Sequence, residues 1–151
     1  MTRTIEITHV YDAPLSAVWD SLRSWPDLAE SMRGRMTYEG LSSGMMTPGE
    51  EFTVRLVAGD GTVVAEEWRI AIDALDEDAR TIDSREGGGP VRQWDHHMKL
   101  EALPDGRTRY TDVVAIDAGE MTDALCEQSV GMYDARHHAR ERLIRERLAN
   151  T

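Results

Sequence analysis

From Arg35 to Asp117 the sequence is one strand-forming segment after another, and a single long helical segment is all that follows to cover them. The strands read RMTYEG, EEFTVRLV, TVVAEEWRIAID, ARTIDSRE, VRQWDHHMKLEA and RTRYTDVVAID, separated by GLSSGMMTPG, GDG, LDED, GGGP and PDG. Turn signals at this spacing predict an antiparallel meander. GGGP lacks the strand-glycine-helix context of a nucleotide site and reads as a loop. Ahead of the meander, Thr4 to Tyr11 alternates with the period of a strand. Asp12 is placed to cap a short helix opened by Pro14, with Leu15, Val18, Trp19 and Leu22 at helical spacing. Trp25-Pro26 breaks that helix, and PDLAESM adds one or two further turns before Gly34. Glu120 to Asn150 reads as one helix of about 45 Å at ~1.5 Å per residue. Met121, Leu125, Met132, Ala135, Ala139 and Leu143, with the small Ser129, are expected on its inward stripe. The expected fold is therefore α+β: one domain over 1–151, with a curved antiparallel sheet of about seven strands wrapped around the C-terminal helix.

The two tightest turns set the strand register. Pro104-Asp105-Gly106 suits a three-residue hairpin loop that pairs Leu103 with Arg107. Trp94, His96, Met98 and Leu100 then share the apolar face with Tyr110, Asp112, Val114 and Ile116, leaving Asp95, His97 and Lys99 on the wet side. Gly59-Asp60-Gly61, treated the same way, sets Ala58 opposite Thr62. Phe52, Val54 and Leu56 would then share a face with Val64, Glu66, Trp68, Ile70 and Ile72.

Composition excludes several partners. There are 17 Lys plus Arg against 28 Asp plus Glu, a formal net charge of -11. Such a field repels phosphate backbones and anionic membrane surfaces, so nucleic acid is not an expected partner. No stretch is long and apolar enough for a membrane span. The lone Cys126 has no intramolecular disulfide partner, and MTRTIEIT carries no export signal, which points to the cytoplasm. Eight Met against one Phe imply an adaptable interior, suited to an irregular core or to a cavity tolerant of ligand shape.

The chain resembles the START-like, or SRPBCC, superfamily, the helix-grip proteins that include polyketide cyclases and plant hormone and allergen proteins. The resemblance lies in ITHVYDAPLSAVWDSLRSWPDL, in VRQWDHHMKLEALPDGRTRYTDVV, and in the long helix with Tyr133, Arg136 and Arg140. It implies a deep, largely apolar cavity between the sheet and the C-terminal helix that holds hydrophobic small molecules; no cofactor is expected.

Adjacent histidines on a strand point to opposite faces, so His96 and His97 cannot serve one metal ion. His96 lies diagonal to Asp112, within reach of a direct or water-bridged hydrogen bond. That pair either stitches the hairpin or faces the cavity as an orienting or acid-base pair. Glu66, an acid on the apolar face, would act as a general base or polar anchor; alternatively a bulge at Glu66 and Glu67 swaps their faces. His96, Glu66 and Asp112 are the catalytic candidates. Tyr38, Val54, Trp68, Trp94, Met98, Tyr110 and Met132 join them as candidate cavity residues. Arg136 and Arg140, one turn apart, could pair with acids of the sheet rim, and the arginine-rich helix end otherwise reads as a solvated face. His137 and His138 are badly spaced for a metal. Binding of a hydrophobic or amphipathic small molecule is the expected function. A polyketide cyclase, aromatase or dehydratase, or a co-chaperone-like interaction module, are the alternatives.

Overall fold

A computed structural model describes all 151 residues. Seven strands form one antiparallel sheet: β1 (Arg3–Tyr11), β2 (Met36–Glu39), β3 (Glu51–Ala58), β4 (Val63–Asp76), β5 (Thr81–Gly88), β6 (Val91–Ala102) and β7 (Thr108–Asp117). The order across the sheet is β1-β7-β6-β5-β4-β3-β2, a meander from β2 to β7 with β1 laid against β7. Two short helices, α1 (Leu15–Leu22) and α2 (Trp25–Ser31), follow β1; the long α3 (Thr122–Ala149) closes the chain. At ~1.5 Å per residue α3 is about 42 Å long.

Local chemistry explains the helix boundaries, with one correction. Asp12 does not cap α1. The Pro14 carbonyl accepts from the backbone N–H groups of Ala17 and Val18, and no side chain caps that end. Ser24 caps α2 by accepting from the Asp27 N–H at 3.1 Å, and Pro26 sits in the first turn, where its missing N–H costs nothing. Arg147 reaches Asp27 through both terminal nitrogens, at 3.0 and 3.1 Å, tying the end of α3 to α2.

The β6–β7 register follows the expected pairing throughout. Leu103 N–H donates to Arg107 O at 2.8 Å, Gly106 takes the left-handed φ of 87°, and Trp94 faces Ile116 while His96 faces Val114. The β3–β4 register does not. Its turn closes as expected, with Ala58 N–H on Thr62 O at 2.8 Å, but β4 then inserts two extra residues. Val64 is the first; Glu66 and Glu67 together face Arg55 as the second. Ala65 therefore turns into the core and Glu66, expected on the inner face, turns out, while Val64 stays half exposed beside the space between the sheet and α3. A further correction concerns GGGP: Gly87 and Gly88 belong to β5. A Cβ at Gly88 would lie 2.3 Å from the Glu67 carbonyl oxygen, so only glycine lets β5 pass the bulge in β4.

The inner face of the sheet, α1, α2 and α3 bury one continuous apolar cluster that includes Tyr11, Val18, Trp25, Ile72, Ile82, Val114, Ile116 and Ile144. Each large apolar side chain removed from water in this way contributes about 1.5–3 kcal/mol. All four indole N–H groups are satisfied: Trp19 by Glu77, Trp25 by Glu50, Trp68 by Glu86 and Trp94 by Tyr133.

The expected stripe on α3 is corrected as well. The buried residues are Thr122, Cys126, Ser129, Tyr133, His137, Arg140 and Ile144. Met121 is exposed, while Leu125, Met132, Ala135, Ala139 and Leu143 are only partly covered. The inward face is polar because it meets polar groups of the sheet.

Two glycines provide a stability test of opposite sign. Gly131 lies in α3 with open space where a Cβ would sit, so Gly131→Ala is expected to stabilise the protein by about 0.5–1 kcal/mol. Gly88→Ala is expected to destabilise it by about 1–3 kcal/mol through forced backbone displacement. Urea unfolding of both variants measures the difference. A neutral Gly88→Ala would contradict the close approach at the bulge.

Candidate functional site

A chain of buried polar side chains crosses from β1 through α3 to the sheet. Tyr11 Oη lies 2.6 Å from His137 Nδ1, His137 Nε2 lies 2.6 Å from Asp112 Oδ2, and Asp112 Oδ1 lies 2.5 Å from His96 Nε2. His96 Nδ1 is 3.4 Å from the Tyr133 hydroxyl, which also accepts from Trp94 Nε1–H at 3.2 Å. Asp112, His96 and His137 are buried, and Tyr110 packs edge-on against His137 with ring centres 4.5 Å apart.

The protonation pattern follows from Asp112. Burial by itself would raise its pKa, but the hydrogen bonds from His137 and His96 outweigh burial and hold the carboxyl well below the usual carboxylate range. An ionised carboxylate only accepts, so each imidazole presents its Nε2–H to it. Burial pushes the His137 pKa down despite the Asp112 hydrogen bond, which leaves that ring neutral with a bare Nδ1. Burial pushes the Tyr11 phenol up, so it keeps its proton and donates to that nitrogen. With its Nε2–H committed to Asp112, His96 turns its Nδ1 toward Tyr133, whose phenol pKa burial raises well above its ordinary value.

Two spaces adjoin this chain. The smaller, about 40 Å³, is lined by His96, Met98, Tyr110, Ser84 and Arg140 among others. It has room for a water molecule or two. The larger, about 300 Å³, opens between α3 and the sheet, and its walls include Met32, Leu56, Trp68, Trp94, Leu125 and Met132. Tyr38, Glu86 and Arg136 line both and stand where the two meet.

Of the residues singled out in the sequence, Tyr38, Trp68, Trp94 and Met132 line the larger space, and Tyr38, His96, Met98 and Tyr110 the smaller. Asp112 lies behind His96 and touches neither space. Val54 is a correction: it is 2% exposed, packs into the solid core and lines neither space. Glu66 is the larger correction. The bulge carries it to the outer face, where its carboxylate accepts from Arg55 Nε–H at 3.0 Å in open solvent, too far out to be a base or anchor. His97 also lies on the outer face, 2.6 Å from Asp83. No group of three or more His, Cys, Asp or Glu side chains converges to hold a metal ion.

Sequence reasoning missed the inward placement of His137, Arg136 and Arg140, and missed Tyr11 and Glu86. The available signal was a polar repeat, Ser129, Tyr133, Arg136, His137 and Arg140, at the same helical spacing that an apolar stripe would show.

Because the fold holds His137 neutral, the folded chain binds fewer protons than the unfolded chain once pH falls below the ordinary imidazole value of ~6.5. Stability is therefore full above that value and is lost as pH drops through it. The depressed Asp112 carboxyl stabilises only while ionised, adding a second loss below ~4. Urea midpoints measured from about pH 7.5 down to about 5.5 are expected to fall in the parent protein and to fall less in His137→Gln. An identical slope in the variant would exclude His137 as the titrating group.

The fold has counterparts among solved structures. Ara h 8.0201 superposes with a TM-score of 0.73 at 19% identity, over 97% of this chain and 99% of that one. Norcoclaurine synthase from Thalictrum flavum gives 0.71 at 15% identity, over 95% and 94% of the two chains. The Zhui aromatase/cyclase from Streptomyces sp. R1128 gives 0.71 at 20% identity, over 98% and 96%. No protein-family model and no curated protein matches the sequence. No helix is long and apolar enough to cross a membrane. Seven curled antiparallel strands, two short helices after the first and one long helix gripped by the sheet, together with these superpositions, give the chain the helix-grip fold.

Proposed function

We propose that the protein binds a hydrophobic or amphipathic small molecule in the cleft between the sheet and α3. The observation that carries this reading is the cleft of about 300 Å³ with mainly apolar walls and polar groups at one end. Small-molecule sites range over ~300–1,000 Å³ and combine apolar walls with a few placed polar groups. Met32, Met36 and Met132 supply adaptable wall surface. Norcoclaurine synthase, of the same fold, has been solved with dopamine and hydroxybenzaldehyde, which supports a guest of aromatic size.

A second reading, proton-transfer catalysis on a polyketide-like guest, draws support from His96. Asp112 orients its ring, and the ring borders the smaller space. The Tyr133 hydroxyl beside it would be the accompanying acid. Glu66 has no part in this reading.

Native mass spectrometry of protein from its own host is expected to show a retained small molecule. Met132→Trp should fill the cleft and weaken binding of a neutral aromatic probe, 2-naphthalenemethanol, at least tenfold without altering the circular dichroism spectrum. Unchanged affinity would remove the cleft as the site. For the second reading, His96→Ala is expected to abolish any turnover found; unaltered turnover would end it.

A further inference from the structure

Two arginines border these spaces, Arg136 where the two meet and Arg140 in the smaller one, and neither has a carboxylate in contact. Arg136 Nη2–H donates to the Tyr38 hydroxyl at 3.1 Å, and its remaining contacts are the sulfurs of Met132 and Met32, both at 3.3 Å. Its guanidinium carbon sits 4.8 Å over the Tyr133 ring. Thioethers and ring faces are weak acceptors, and Nη1 makes no hydrogen bond. Arg140, 2% exposed, spends one nitrogen on Ser21 O and Oγ, and its Nε–H has no partner. No carboxylate oxygen lies within 4.0 Å of either guanidinium.

That arrangement is unusual for this chain, in which acids outnumber bases by 28 to 17. Arg23, Arg55, Arg85 and Arg147 have carboxylates in contact, and the other arginines without one, Arg35, Arg109, Arg142 and Arg145, are exposed to water. A guanidinium partly removed from water without an anion carries an unrecovered desolvation cost, and a carboxylate offers it two parallel charge-assisted hydrogen bonds. Glu86, the one acid lining both spaces, is engaged by the Trp68 indole N–H at 2.9 Å and makes no ion pair with Arg136. Its charge acts on Arg136 through space but leaves the guanidinium's hydrogen-bond positions open, and it disfavours a guest with a second negative group. Asp112 is already matched by its two imidazole donors.

Building on the cleft-binding reading, we infer that the guest is a monocarboxylate: its anionic head pairs with Arg136 at the inner end of the cleft, and its apolar body lies along the methionine and tryptophan walls. The Tyr38 hydroxyl, already held by Arg136, offers the head a further donor.

The test is isothermal titration calorimetry with two probes of one shape, 2-naphthoate and neutral 2-naphthalenemethanol. The parent protein is expected to bind the carboxylate at least tenfold more tightly. Arg136→Met should bind the two probes equally while keeping the parent's affinity for the alcohol. Arg136→Lys, which keeps the charge and loses the fork, should retain part of the preference. Arg33→Met, at an exposed site, should behave as the parent does. Circular dichroism identifies any variant that has not folded, and the parent's own preference stands as a measurement independent of all of them. Equal affinities in the parent, or a preference that survives in Arg136→Met, would overturn the carboxylate while leaving the cleft as an apolar site. Failure of both probes to bind would remove the cleft-binding reading itself, and the carboxylate with it.

Discussion

A single buried carboxylate determines how the long helix sits in the sheet. Asp112 is fully shielded from water, and an ionised group in that position must be matched by donors at close range. One donor comes from β6 through His96 and the other from α3 through His137. Turning α3 about its axis would strip Asp112 of its second donor, so the helix is locked with a polar face inward. Arg140 on Ser21 and Arg147 on Asp27 then fasten the following turns of that helix to α1 and α2.

The cleft opens beside this polar contact between α3 and the sheet. Where Tyr133 and His137 meet their partners the interior is filled. One to two turns toward the start of α3, Ser129 and Met132 leave space between the helix and Trp68 and Trp94. The residues that hold the helix in place and those that border the guest space are thus neighbours on one helix face. Arg136 belongs to both groups.

How much of this could be read in advance depended on where the information lay. The β6–β7 pairing was legible because Pro104-Asp105-Gly106 permits one loop geometry and no residue is inserted in either strand. The proximity of His96 and Asp112 followed from it. The same reasoning failed on β4, because alternation continues across Glu66-Glu67 whether or not the strand bulges there; only the neighbouring strands, with Gly88 pressed against the bulge, decide it. The face of α3 was misread for a different reason. Apolar periodicity finds the side that avoids water, and here the buried side is chosen by the needs of Asp112, a residue on another element. Helix length and the antiparallel meander were safe because they depend on local pattern alone.

The three-residue turn between β6 and β7 has a role beyond closing a hairpin. His96 lies seven residues before Leu103 and Asp112 five residues after Arg107, and they are brought to one face only because the loop count keeps both strands in phase. Substitutions at the exposed loop tip leave that phase alone, whereas gain or loss of one residue there would send one partner to the outer face. Over evolutionary time this loop should be free to drift in sequence while its length stays under selection, as though the missing or added residue were itself part of the site.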